Sequence, residues 1–130
     1  MARWLPVPRA YSHLPHLLVQ KVPDFAASPE YTALESAEIQ FPGVVCGAFA
    51  QDLSRLQKDT LARPRSHEDA ASLSAAYHAL ECFATSHDPD VINAVVVDIF
   101  ENLDREPHVL EAMKAHLGKA SGQLYDTWLG

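Results

Sequence analysis

From residue 42 onward, apolar positions recur at three- and four-residue intervals, and a proline or a capping residue introduces each periodic run. That period is the one that gathers side chains on a single face of an α-helix. Residues 43 to 61 place Val45, Phe49, Leu53 and Leu56 on one face together with Cys46. Ser66-His67-Glu68-Asp69 has the form of a capping box, with Asp where Glu or Gln is usual, and opens a second helix with the stripe Leu73, Ala76, Tyr77, Leu80 and Phe83. Asp88 and Pro89 specify a third start: Asp88 as N-cap, and Pro89 at the first helical position, where a missing N–H costs nothing. Residues 89 to 103 then set Ile92, Val95, Val96, Ile99, Phe100 and Leu103 on one broad face and Asp90, Asn93, Asp98, Glu101 and Asn102 on the other. The run Val95-Val96-Val97 has strand character, but polar residues return at helical spacing over a segment longer than a typical strand, so a helix is expected. Glu106-Pro107 opens a fourth helix carrying Val109, Leu110, Met113 and Leu117, with Gly118 as its stop. A last helix, from about Ser121 to Leu129, is expected to turn Leu124, Tyr125 and Trp128 back onto the bundle.

Six of the nine prolines lie in the first 42 residues, which predicts short helices and extended joints there, wrapped around a helical core at 43–130. No segment alternates with period two, so the fold class is all-α: one domain over 1–130, a compact bundle of about five to seven helices. Tight turns between the longer helices make them antiparallel neighbours. Asp88-Pro89-Asp90-Val91 followed by an apolar helix resembles the start of an inner helix of HEAT repeats, and implies HEAT-like antiparallel packing.

Composition narrows the function classes. With 130 residues, 48% apolar and 21% charged, the chain can build one ordinary soluble core. The net charge of -7 is uneven: residues 1 to 65 hold seven Lys/Arg against six Asp/Glu, residues 66 to 130 three against eleven. A surface of that sign repels phosphate backbones, so direct nucleic-acid and anionic-membrane binding are disfavoured, and a basic protein is the natural partner. Two cysteines, Cys46 and Cys82, make no disulfide framework and are expected as reduced, buried thiols. Prolines interrupt the start Met1 to Arg9, and no run of about 20 apolar residues occurs, so a cytoplasmic location is expected.

Candidate chemistry is sparse. His78 with Glu81, and His108 with Glu111, are two His-x-x-Glu pairs, each on one helix face, and are the candidates for a metal site. Carboxylate-bridged bundle sites use Glu-x-x-His with two further helix-borne glutamates, the reverse order and a larger set. The apolar stripe of the second helix also turns His78 and Glu81 toward solvent, so no metal and no cofactor are assigned. No Gly-x-Ser-x-Gly elbow occurs; Gly43 and Gly47 flank a helix start without other phosphate-cradling features; His13 and His16 read as a surface polar pair. Asp98 and Glu101 read as exposed carboxylates rather than an acid/base couple, which needs unequal environments in a cleft. No catalytic residue is assigned, and the chain reads as a non-enzyme.

At about 100° per residue, Asp90, Val97, Glu101 and Asp104 fall in one stripe outside the third helix, with Asn93 and Asp98 at its edges. An apolar side chain ringed by carboxylates is the pattern of a partner patch, an anchor with a steering rim; a solvated face with one exposed valine is the alternative. Between Glu81 and Glu111 stand eight acids and one base, Arg105, a density that favours the patch.

The run from Ala79 to Phe83, the segment from Asp88 to Leu103 and the closing Leu124-Tyr125 resemble small helical bacterial proteins thought to be immunity proteins of polymorphic toxin systems. The resemblance spans roughly residues 70 to 128. It implies a cytoplasmic antidote that binds one cognate toxin domain and blocks its active site or substrate access; the family offers no catalytic residues to carry over. Two other classes stay open: a HEAT-like acidic adaptor and a metal-binding helical-bundle enzyme.

Overall fold

The computed structural model describes residues 9–63 and 67–130, so Ser66, the expected cap of the second long helix, lies outside them. Among the described residues the regular structure is entirely helical. Four short helices come first: α1 (Arg9–Ser12), α2 (Leu14–Lys21), α3 (Pro23–Ala26) and α4 (Pro29–Thr32). A 3-10 turn at Glu38–Gln40 leads into the two long helices α5 (Pro42–Ala62) and α6 (His67–Ala84). Then follow α7 (Pro89–Asn93), α8 (Pro107–His116) and α9 (Lys119–Trp128). Every proline among the described residues lies in the first turn of a helix, where its fixed φ is pre-set and its absent N–H is not needed. The prolines thus punctuate the chain rather than break it. No helix among the described residues is long and apolar enough to cross a membrane.

The central element is α5. Val45, Cys46, Phe49, Leu53 and Leu56 are all buried as expected, and Asp52, Ser54 and Gln57 on other sides of the helix are buried too. A helix covered around most of its girth must satisfy its polar groups internally. Arg55 does this for Asp52, with Nη2 2.6 Å from Oδ1, while its Nε lies 3.0 Å from Glu30 Oε2 on α4 and its Nη1 3.4 Å from Asp59 Oδ2. Burial raises the Asp52 carboxyl to about 6 against the pull of Arg55. The Tyr77 hydroxyl of α6 donates to Gln57 Oε1 at 2.6 Å. The proline-rich third is more than a wrapper: Leu14, Leu18, Val22 and Phe25 are buried in the same core cluster, and Phe25 meets Phe49 edge-on at 5.5 Å. All five stripe residues of α6, from Leu73 to Phe83, are buried.

The third long helix departs from expectation. It begins at Asp88 as foreseen, with Asp88 Oδ1 accepting from the Asp90 N–H at 2.9 Å, but only Pro89–Asn93 is α-helix. Ala94–Ile99 is π-helix and Phe100–Asn102 is 3-10, before Leu103 turns extended. A π turn closes through i→i+5 bonds, so it takes in more residues per turn and shifts every later side chain from the position a uniform α-helix would give it. Val91 and Ile92 precede that turn, yet there too the burial differs from expectation: Val91 and Ala94 are buried, whereas Ile92 and Val96 are only half-buried.

Two further corrections concern the last helices. Gly118 does not stop α8: that helix ends at His116, Leu117 is extended, and Gly118 is the N-cap of α9. Tyr125 and Leu124 pack inward, Tyr125 edge-on to Phe100 at 5.1 Å, but Trp128 remains 66% exposed.

Candidate partner-binding site

The stripe expected on the third helix is divided among three environments. Asn93, Val97 and Glu101 stay together and line a groove of about 800 Å³. Pro89, Ile92 and Val96 supply the rest of the helix wall, Trp128 of α9 faces them, and Ser86 and His87 close the end beside the α6–α7 turn. Val97 is 42% exposed and Trp128 66%, two of the few large apolar side chains left open to solvent. The groove therefore has an apolar wall on each side and one carboxylate, Glu101, in its lining.

Asp98 leaves the stripe. It points toward the first turn of α5, where a Cβ on Gly43 would stand 3.4 Å from its Oδ2, and it is half-buried there. One turn on, a Cβ on Gly47 would lie 3.9 Å from Nδ2 of Asn102. The two glycines, four residues apart, thus lie on the side of α5 that faces the helix at 94–102, with room for a Cβ at ordinary contact distance. A carboxylate at the first turn of α5 faces the positive end of that helix, whose N-cap Phe41 provides no side-chain acceptor. Burial raises the Asp98 carboxyl, with the Glu101 charge adding to it. Asp90 is exposed on the same flank: burial raises the hydroxyl of Tyr11, and Asp98, Cys46 and, last, Asp90 add to it. Neither lines the groove.

Asp104 lies past the helix end and serves the fold. Its Oδ1 accepts from the Glu106 N–H at 2.8 Å, its Oδ2 is 3.1 Å from Lys58 Nζ, and its own N–H donates to Ser54 Oγ at 3.0 Å. The Glu106 N–H bond, with Lys58, lowers its carboxyl. Six residues expected to act as one patch therefore reduce to three in the groove, with a new wall supplied by Trp128.

The four metal candidates are engaged separately. Glu81 is not a solvated side chain: Oε2 accepts from the Ala120 N–H at 2.7 Å, and Oε1 from the Ser121 N–H at 2.9 Å and its hydroxyl at 2.8 Å. Those are the acceptor positions an N-cap side chain normally fills. Gly118 has no side chain to fill them, and a Cβ there would collide with the Glu81 carboxylate, so α6 lends α9 its cap. His78 is exposed, its Nε2 3.8 Å from Cys82 Sγ; His108 is exposed; Glu111 pairs with Lys114 at 3.6 Å. No group of three or more potential ligands gathers among the described residues. Cys46 is buried and its thiol is pushed up to about 12 by that burial; Cys82 is only half-buried.

Comparison of the chain with protein-family models, curated proteins and solved structures finds no match.

Proposed function

We propose that this chain is an immunity protein, a stoichiometric inhibitor that binds the basic surface of a cognate bacterial toxin domain in the cytoplasm and denies it substrate. The observation that carries the reading is the open groove at Val97 and Trp128, apolar on both walls and edged by Glu101, in the half of the chain whose charge is -8 by three Lys/Arg against eleven Asp/Glu. Exposed apolar anchors with a like-signed rim suit a protein partner: burial supplies affinity and the net field speeds encounter. Three other acidic groups are committed to the fold, Glu81 as a cap, Asp52 in an ion pair and Asp104 in a turn, whereas Glu101 stands in the groove lining beside the exposed Val97 and Trp128.

The test is a toxin domain found encoded beside this chain. Mixing the two purified proteins is expected to give a one-to-one complex on gel filtration and to abolish toxin activity, with affinity falling as salt rises. Absence of a complex at micromolar concentrations, or a complex that leaves the toxin fully active, overturns the reading.

A further inference from the structure

We infer that the groove receives the apolar face of a basic amphipathic helix. Pro89, Ile92 or Asn93, Val96 or Val97, and Glu101 follow one another at three- to five-residue steps, which makes the wall a helical ridge. From 89 to 101 it runs about 18 Å at the rise of a helix, the length of three to four turns of a partner laid alongside. Trp128 bounds the other side, so a helix placed there is gripped on two flanks. The exposure of Val97 and Trp128 leaves the groove open along its length, whereas a small-molecule site encloses most of its ligand. Among the described residues no strand offers an edge for an extended peptide.

Charge selects the kind of helix. The lining contains one carboxylate, Glu101, and no Lys or Arg. The one base between residues 81 and 111, Arg105, has Nη2 on the Glu101 carbonyl at 3.3 Å. A guest with Lys or Arg bordering its apolar face pairs with Glu101, and the exposed Trp128 indole offers a second partner for a cation. An acidic or uniformly apolar helix gains neither.

The inference rests on the inhibitor reading only for the identity of the partner, and it is tested without the toxin. A chain carrying Trp4→Phe retains Trp128 as its single tryptophan. Titrating it with a synthetic Leu/Lys peptide of about 18 residues, apolar at helical spacing, is expected to shift Trp128 fluorescence to saturation in the micromolar range. A Ser/Lys peptide of equal charge and a Leu/Glu peptide are each expected to bind at least about tenfold more weakly, and Val97→Lys to weaken the Leu/Lys peptide by about tenfold with unchanged circular dichroism. Equal binding of the Ser/Lys peptide, or no effect of Val97→Lys, overturns the inference. So does a concentration-dependent dimer that Val97→Lys abolishes, since a second copy is then the occupant. Failure of the toxin complex alongside success here removes the inhibitor reading and keeps the helix site; a toxin complex indifferent to Val97→Lys does the reverse.

Discussion

Replacing Glu81 by Ala tests whether α6 caps α9. The substitution removes the acceptor of the Ala120 and Ser121 N–H groups and of the Ser121 hydroxyl, at 2.7, 2.9 and 2.8 Å. Loss of an N-cap side chain costs about 0.5–2 kcal/mol, and a charged acceptor raises the upper end. Glu81 is half-buried, so water replaces part of what is lost, and about 2 kcal/mol is the expected destabilisation. Ser121 suffers most, because it is fully buried and its hydroxyl is left only with the Gly118 N–H, to which it is an acceptor. Urea unfolding followed by circular dichroism reads the change as a lower midpoint at unchanged slope. Thermal melting should fall by roughly 3–5 °C per kcal/mol for a chain of this size. The effect has a pH signature. Burial pushes the Glu81 carboxyl up, but the Ser121 and Ala120 bonds outweigh it and the group ends below its ordinary value. A carboxylate depressed on folding stabilises at neutral pH and loses that contribution as pH falls through its folded value, so wild type and Glu81→Ala should converge in acid. A variant within about 0.5 kcal/mol of wild type at pH 7 refutes the capping account.

Gly118→Ala should reproduce the loss from the other side, since its methyl collides with the same carboxylate; combined with Glu81→Ala it should add little further cost in urea unfolding. Asp52 titrates in the opposite sense: its folded value of about 6 lies above the ordinary value of 3.8, so its contribution falls as pH rises from about 4 to 6. Asp52→Asn should remove that slope, and near pH 7 gain up to about 3 kcal/mol relative to its acid-side difference, measured by denaturation across that window. Tyr77→Phe leaves Gln57 Oε1 without its 2.6 Å donor in a site where Gln57 is 1% exposed, and should cost about 1–3 kcal/mol.

Where the chain repeats with an uninterrupted helical period, the sequence was a sufficient guide. The stripes of α5 and α6 are buried residue for residue, and Asp88 and Glu106 cap the helices they precede, Glu106 accepting from the Val109 N–H at 2.9 Å. The acidic stripe needs about 100° per residue through 104, but the helix changes to π at Ala94 and ends at Asn102, which leaves Asp104 off it. The Val95-Val96-Val97 run lies inside the π segment, and no spacing rule distinguishes a π turn from an α turn there. Gly118 shows a second limit. Glycine after a helix is a common C-terminal stop, but here it marks close approach by Glu81, 37 positions earlier, which no local pattern contains. Trp128 shares its face with Tyr125, yet in the last turn of α9 it stands open beside the groove.

The groove and the cap are mechanically one arrangement. Trp128 can form a wall only if α9 is held against the bundle; two anchors are the Tyr125–Phe100 contact at 5.1 Å and the Glu81 carboxylate at the first turn. The opposite wall rests on the turn at Ser86 to Asp88, where the Asp88 N–H donates to Ser86 Oγ at 3.1 Å, and that turn ends the same helix that carries Glu81. Thus α6 sets both walls: the turn that follows it starts α7, and Glu81 in its last turn seats α9. A short helix of ten residues with one buried aromatic has little intrinsic stability, so loosening its cap frees the wall before it unfolds the core. Glu81→Ala, at a position outside the groove lining, should therefore weaken binding of a basic amphipathic helix by more than its modest effect on global stability suggests. Unchanged affinity in a variant whose α9 amides exchange faster would mean that Trp128 holds its place without the cap.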